Sequence, residues 1–179
     1  MNQARTAFEL LLEIDRRCRA HAAALPSQDA RLQSWSGIGF RLASSWFVAP
    51  MAEVVEVLPE PRLTRVPGVH PWVRGVANLR GRLLPVLDLC GFFGIERSSV
   101  RKQRRVLVID HDELFTGLLV DEVPGLQHFP LLRLDPTLPE GLPGNMQPFV
   151  QGHFQRERNW AVFSPLALTD VAEFMNVAL

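Results

Sequence analysis

Hydrophobic positions follow two different periods along the chain. Ala7, Leu11, Ile14, Cys18, Ala22 and Leu25 recur at helical spacing, with Asp15, Arg16, Arg17 and Arg19 mostly on the other side. This pattern predicts an amphipathic helix over residues 1–25 that Pro26 ends. Residues 26–36 read as a polar linker, after which the period drops from 3.6 to 2. Ile38, Phe40 and Leu42 alternate, Ala43-Ser44-Ser45 makes a turn, and Trp46-Phe47-Val48 returns, predicting a hairpin. Val54 to Leu58 reads as a third strand, closed by Pro59 and Pro61. Val73 to Leu79 and Leu83 to Leu89 flank Arg80-Gly81-Arg82, so a reversal at Gly81 pairs them as antiparallel neighbours. Pro85 has no N–H to give to a ladder, which places the second of these strands at a sheet edge or beside a bulge. Arg105 to Ile109, Leu114 to Val120 and Val123 to Gln127 repeat the rhythm. Five prolines between Pro130 and Pro148 predict an irregular loop, and Phe149 to Phe154 with Trp160 to Phe163 a last hairpin. Ser164 and Pro165 suit the N-cap and first turn of a terminal helix running to about Asn176. Helix, many strands, helix is the order of a mainly β fold occupying residues 37–179.

Length and composition narrow this further. A chain of 179 residues, 47% hydrophobic and 21% charged, buries roughly 70% of its unfolded surface and builds a packed core without staples. Nineteen basic residues balance nineteen acidic ones, which removes the positive field that nucleic-acid binders rely on. The expected partners are therefore proteins, with no nucleic acid. Cys18 and Cys90 form no C-x-x-C pair and lack histidines at zinc-site spacing, so free thiols in the cytoplasm are expected. Glu9 and Glu13 interrupt the N-terminal apolar run, unlike an export leader. No apolar run reaches about 18 residues, so no membrane insertion is expected.

Candidate chemistry fails on inspection. Arg105 to Asp112 resembles the first strand and acidic pair of a receiver domain, but a receiver needs alternating βα units and a downstream Lys. The one lysine here is Lys102, upstream of that strand. Asp110 to Glu113 is read as a solvated hairpin turn. Gly37-Ile38-Gly39 lacks the third glycine and following helix of a dinucleotide loop and is read as a strand with little side-chain bulk. No G-x-S-x-G elbow is present. His21, His70, His111, His128 and His153 are scattered with no i,i+4 pair. Arg97, Arg101, Lys102, Arg104 and Arg105 form a basic cluster without interleaved aromatics, as suits a solvated loop. The expectation is no catalytic residue and no metal.

Core packing leaves Val73 to Gly81 unexplained. Gly75 in mid-strand suits close approach of another backbone, and Gly81 suits a positive-φ turn with Asn78 and Arg80 beside it. At these residues the chain resembles the CheW-like chemosensory adaptor family, through its Gly-Val-x-Asn-Leu-Arg-Gly run at 75–81 and Pro85-Val86-x-Asp88-Leu89 close behind. Val54-Val55-Glu56-Val57, Arg65-Val66-Pro67 and Gly117-Leu118-Leu119-Val120-Asp121 fall in the family's order, and the match spans about Gly37 to Asn176. Phe8 to Leu25 is similar to the N-terminal helix of the family's twitching-motility adaptors. Ala77 and the length of the Leu138 to Pro148 loop depart from the family pattern.

The resemblance implies two five-stranded SH3-like antiparallel barrels packed together, with an N-terminal and a C-terminal helix. It implies no catalysis and no cofactor. It also implies two partners: the cytoplasmic tip of a methyl-accepting chemoreceptor in the groove between the barrels, and the regulatory domain of a histidine kinase on the first barrel. The setting it implies is a cytoplasmic, receptor-associated array controlling type IV pilus twitching motility. The partner-binding residues it implies are Val54, Glu56, Gly75, Asn78, Leu79, Arg80, Gly81, Val120 and Asp121. Arg80 is expected to pair with Glu56, with Val54 and Leu79 supplying apolar contact. Two other classes share the barrel architecture: a nucleic-acid binder using the loop from Arg97 to Arg105, and a fragment of a kinase's own regulatory domain. The N-terminal helix and the lack of an ATP-site motif favour a free-standing adaptor over the latter.

Overall fold

The computed structural model describes residues 34–179 apart from Ser98 and Glu113. The helix expected within residues 1–25 lies outside the described residues. The strands are β1 (Ser34–Leu42), β2 (Ser45–Pro50), β3 (Glu56–Pro59), β4 (Val73–Leu79), β5 (Arg82–Asp88) and β6 (Arg105–His111). They continue with β7 (Leu114–Val120), β8 (Glu122–Pro130), β9 (Leu134–Asp135), β10 (Val150–Gln155) and β11 (Asn159–Phe163). Four residues after β5 form α1 (Leu89–Phe92), capped by the Asp88 carboxylate on Gly91 N–H at 3.1 Å.

Two sheets result, ordered β3-β6-β7-β5-β4 and β8-β1-β2-β11-β10-β9. The two repeat one plan. In each, an edge strand precedes a hairpin, a single parallel pair follows (β7 with β5, β2 with β11), and a second hairpin comes last. Thr64, bridged to Val76, stands in the first sheet where β9 stands in the second. This is the mainly β, two-barrel architecture the sequence predicts.

Alternation of side chains between sheet faces divides the core into three. Leu84, Val86, Val106, Val108 and Leu119 fill the first barrel. Val48, Phe129, Phe154, Trp160 and Val162 fill the second, with Trp35 and Trp46 packed against them. The opposite faces meet in a larger junction core that includes Phe40, Phe47, Ala49, Leu107, Ile109, Leu118, Val120 and Phe163. Gly37 and Gly39 sit on the inner face of β1, where a Cβ would lie 2.7 Å from the Trp35 ring and 2.8 Å from the Trp160 ring. Their missing side chains give the two indoles room.

Gly75 has φ +130°, and a Cβ there would lie 2.3 Å from the Thr64 carbonyl oxygen. The close approach expected from sequence is thus the Thr64–Val76 bridge. Gly152, with φ +147° and the Asp135 oxygen 2.4 Å from its would-be Cβ, repeats the device in the second barrel.

Pro85 meets the second of its two expected settings, since β5 is central, between β7 and β4, and β4 bulges beside it between Val73 and Gly75. The parallel ladder to β7 begins one residue later, at Val86, so the missing N–H falls where that ladder asks for no donor. Two expectations need correction. The proline-rich loop contributes the short edge strand β9. The terminal helix is not continuous. A 3-10 turn over Leu166–Asp170 gives way at the extended residue Val171 to α2 (Ala172–Met175). Leu168 and Phe174 are both buried, but six residues on one α-helix would set them about 120° apart. Breaking the helix lets both face inward. Phe174 stacks on Trp72 at 5.9 Å and meets Phe92 edge-on at 5.2 Å, while the Glu53 carboxylate accepts from Ser164 Oγ (2.8 Å) and Leu166 N–H (3.0 Å). The chain end is thereby tied back from the second sheet to the first.

Replacing Gly75 by Ala forces a side chain into the Thr64 carbonyl at a positive φ. We expect Gly75→Ala to lower unfolding free energy by about 2 kcal/mol or more, read from urea denaturation. An unchanged midpoint would show that β4 is free to move away from Thr64.

Candidate functional site

The outer strands of the first sheet, β3 and β4, do not pair along their length, so a seam lies between them. Thr64 closes one part of it. At the other, Arg80 donates from Nη2 to Glu56 Oε1 at 2.8 Å, joining the β4–β5 turn to β3. Arg80 and Gly81 both have positive φ (52° and 86°), the geometry of a tight two-residue hairpin turn. Asn78 holds that turn by accepting the Gly81 N–H at 2.8 Å. The residues expected on the rim therefore divide their labour: Gly75, Asn78 and Gly81 shape the hairpin, while Arg80 and Glu56 carry the charge.

A second pair lies alongside. Arg82 donates twice to Asp110, at 2.6 and 3.4 Å, with its guanidinium 3.6 Å from the Phe115 ring centre. That hydrogen-bonded guanidinium holds the Asp110 carboxyl below the usual carboxylate range. Exposed pairs of this kind contribute about 0–1 kcal/mol each, so they set shape more than stability.

Val54 and Leu79 are not outward contacts. Val54 is buried in the junction core and Leu79 packs half-buried against the first barrel's interior. The exposed apolar residues are their neighbours, Val55 (57% exposed) and Val57 (37%) on the β3 side, and Leu83 (70%) on β5. Val57 pairs with Leu107, and cross-strand partners share a face. Leu107 belongs to the junction core, so Val55 and Val57 continue the junction face beyond the point where the second barrel covers it.

Val120 and Asp121 are likewise fully buried, and no rigid partner reaches them. Asp121 lies between β7 of the first sheet and β8 of the second. Its carboxylate accepts from Ala43 N–H in the β1–β2 turn (2.7 Å) and from Ser99 Oγ (2.6 Å), and Arg97 Nη1 lies 3.4 Å away. Its own N–H donates to the Arg41 carbonyl at 3.0 Å. Arg97 also pairs with Asp88, the α1 cap. Burial, reinforced by the Asp121 charge, pushes the Cys90 thiol up to about 12. The sequence pattern could not separate these structural acids from rim acids, because burial of Asp121 depends on which sheet faces the other.

The arginines of the basic cluster are paired internally. Besides the pairs of Arg97, both Arg101 and Arg104 lie 3.5 Å from Glu60 oxygens, and Arg105 donates to the carbonyls of Lys102, Gln103 and Arg104. The receiver-like segment is an antiparallel hairpin, β6 to β7. Among the described residues, no three His, Cys, Asp or Glu side chains group so as to hold a metal ion. None of the described helices is long and apolar enough to cross a membrane.

The CheW-like domain family matches residues 36–173 of this chain. Protein PilI of Pseudomonas aeruginosa is 57% identical over 179 residues, covering all of both chains. The chemotaxis protein CheW of Helicobacter pylori is 31% identical over 108 residues, 60% of this chain and 65% of that protein. The crystal structure of the scaffolding protein TtCheW from Thermoanaerobacter tengcongensis superposes with TM-score 0.62 at 25% identity, covering 72% of this chain and 88% of that one.

Two measurements probe the buried network. Asp121→Asn weakens a buried charge pair and unsettles the Ala43 and Ser99 donors, so it is expected to cost on the order of 3 kcal/mol in urea unfolding. A loss below about 1 kcal/mol would show that the Asp121 charge is not needed to hold the junction. In a Cys18→Ser background, Cys90 is expected to resist DTNB at pH 8 until the protein unfolds. The native state keeps the thiol proton to about 12 while the unfolded chain releases it near 9. Stability should therefore fall as pH rises from about 9, less steeply in Cys90→Ala.

Proposed function

Because the chain belongs to the CheW-like domain family, we propose that it is a non-catalytic adaptor coupling a methyl-accepting chemoreceptor to a histidine kinase in a cytoplasmic array at the membrane, controlling type IV pilus twitching motility. The observation that carries this reading is the full-length 57% identity to Protein PilI. The solved relative TtCheW is a scaffolding protein, which agrees with it.

A protein that changes no bond contributes geometry. Receptor states bias the kinase only if the link between them is stiff enough to transmit a difference in contact energy. The large junction core gives this chain such stiffness, since neither barrel can move without disturbing Phe40, Phe47, Leu107 and Phe163. The receptor tip is assigned to the Val55 and Val57 strip beside the junction. The kinase regulatory domain is assigned to the first barrel's rim, where the Arg80–Glu56 pair stands near Leu83. Apolar residues framed by exposed ion pairs match the centre-and-rim build of transient, micromolar interfaces.

Arg80→Ala should leave the melting temperature within a few degrees of wild type, because the pair is exposed and adds at most about 1 kcal/mol. The same variant should retain much less receptor or kinase in a pull-down from cell lysate with the bound chains identified. Wild-type retention of both partners by a well-folded variant would remove Arg80 from the interface. Failure of the wild-type protein to retain either partner would reject the adaptor reading itself.

A further inference from the structure

A basic surface available for recognition lies where the sequence shows no cluster. The Thr64–Val76 bridge sets Arg65 beside Gly75, so the chain at Arg65 runs next to the chain at Arg74 although nine positions separate them in the sequence. With His70, Val66, Val69, Pro71 and Val73 they line an open pocket of about 300 Å³. No carboxylate lines it. Among the described residues neither guanidinium has an ion-pair or hydrogen-bond partner, in contrast to the arginines of the 97–105 loop.

We propose that this pocket is a docking site for an acidic polypeptide segment that also carries an apolar side chain. Two guanidiniums in one pocket lining that holds no carboxylate make the site positive, and a bound carboxylate gains charge-assisted hydrogen bonds there. Val66, Val69 and Val73 supply the apolar wall, with Val66 itself 39% exposed. A nucleic acid fits less well, because the one ring in the lining, His70, lies flat on Trp72 at 5.5 Å and 8°, leaving no aromatic clamp for bases. The pocket is held from behind. His70 N–H donates to the Val177 carbonyl (3.1 Å), Leu179 N–H to the Gly68 carbonyl (3.0 Å), and Val69 bridges Ala178. A segment docking here orders little of the protein, which favours affinity. The site is also separate from the Arg80 rim. Arg74 and Arg80 stand at opposite ends of β4, about 20 Å apart at the strand rise, so the test requires neither receptor nor kinase.

Fluorescence anisotropy of the full chain with a fluorescein-labelled peptide of Glu and Leu tests it, alongside an all-Glu peptide of equal length and a DNA oligonucleotide of equal charge. The Glu/Leu peptide should bind best, and R65E/R74E should bind it about tenfold more weakly or worse. The variant's melting temperature should hold, since both arginines are exposed and unpartnered. Peptide binding indifferent to the double charge reversal would overturn the proposal. Tighter binding of the oligonucleotide, lost in the variant, would overturn it in favour of nucleic acid. Displacement of the peptide by equimolar inorganic phosphate would overturn it in favour of a small-anion site.

Discussion

A buried carboxylate at the crossing between two sheets constrains everything else in this protein. Asp121 has no exposed surface, so its charge must find donors inside the fold or remain neutral. It finds them in the β1–β2 turn, in Ser99 and in Arg97. The first belongs to the second sheet, the other two to the loop between β5 and β6 of the first. Only one relative placement of the sheets brings these groups together, so the network acts as a key for the junction. The apolar junction core supplies cohesion, and the carboxylate with its donors supplies registry.

The duplicated plan explains why that key is needed. Each barrel interior is small, a handful of large side chains, and domains of that size bury too little surface to be stable alone. Both barrels are amphipathic sheets with a second apolar face, and the two faces bury each other. Two similar faces could slide past one another, because aliphatic and aromatic contacts have little directionality. A charge that is satisfied in one arrangement alone removes that freedom. Rigidity is thus a consequence of how the two halves are joined, and neither half has it by itself.

What the sequence made legible was whatever depends on near neighbours. Alternation at Ile38, Phe40 and Leu42 gave β1, and Arg80-Gly81 between two apolar runs gave the β4–β5 hairpin. Gly75 signalled a backbone contact, though not that Thr64 would be the partner. Features set by distant partners stayed hidden. Val54 and Val55 are adjacent and alike, and that Val54 is buried in the junction core while Val55 is exposed depends on partners distant in sequence. Pro85 signals an edge only if the ladder beside it asks for its N–H, and the parallel register starts just beyond it. The 97–105 arginines looked available because Glu60, Asp88 and Asp121 are far off in sequence. Arg65 and Arg74, nine positions apart, line one pocket because of the single Thr64–Val76 bridge, which no local pattern announces.

The distribution of polar interactions follows the same division between what must hold and what must exchange. At the junction, carboxylates and donors are buried, so separating them strands a charge and is strongly disfavoured. At the rim, Arg80 is 77% exposed and Glu56 28%, so water or a partner's carboxylate can replace Glu56 at little net cost. Arg80 is therefore held at a defined position in the free protein yet remains open to competition. The reversible contact proposed for Arg80 needs both properties together. If Arg80 hung loose, a partner would have to order it on binding, whereas a buried pair would have to be broken first. The surface pair on a stiff frame avoids both penalties, and it does so because the frame's stiffness comes from the junction and not from the rim.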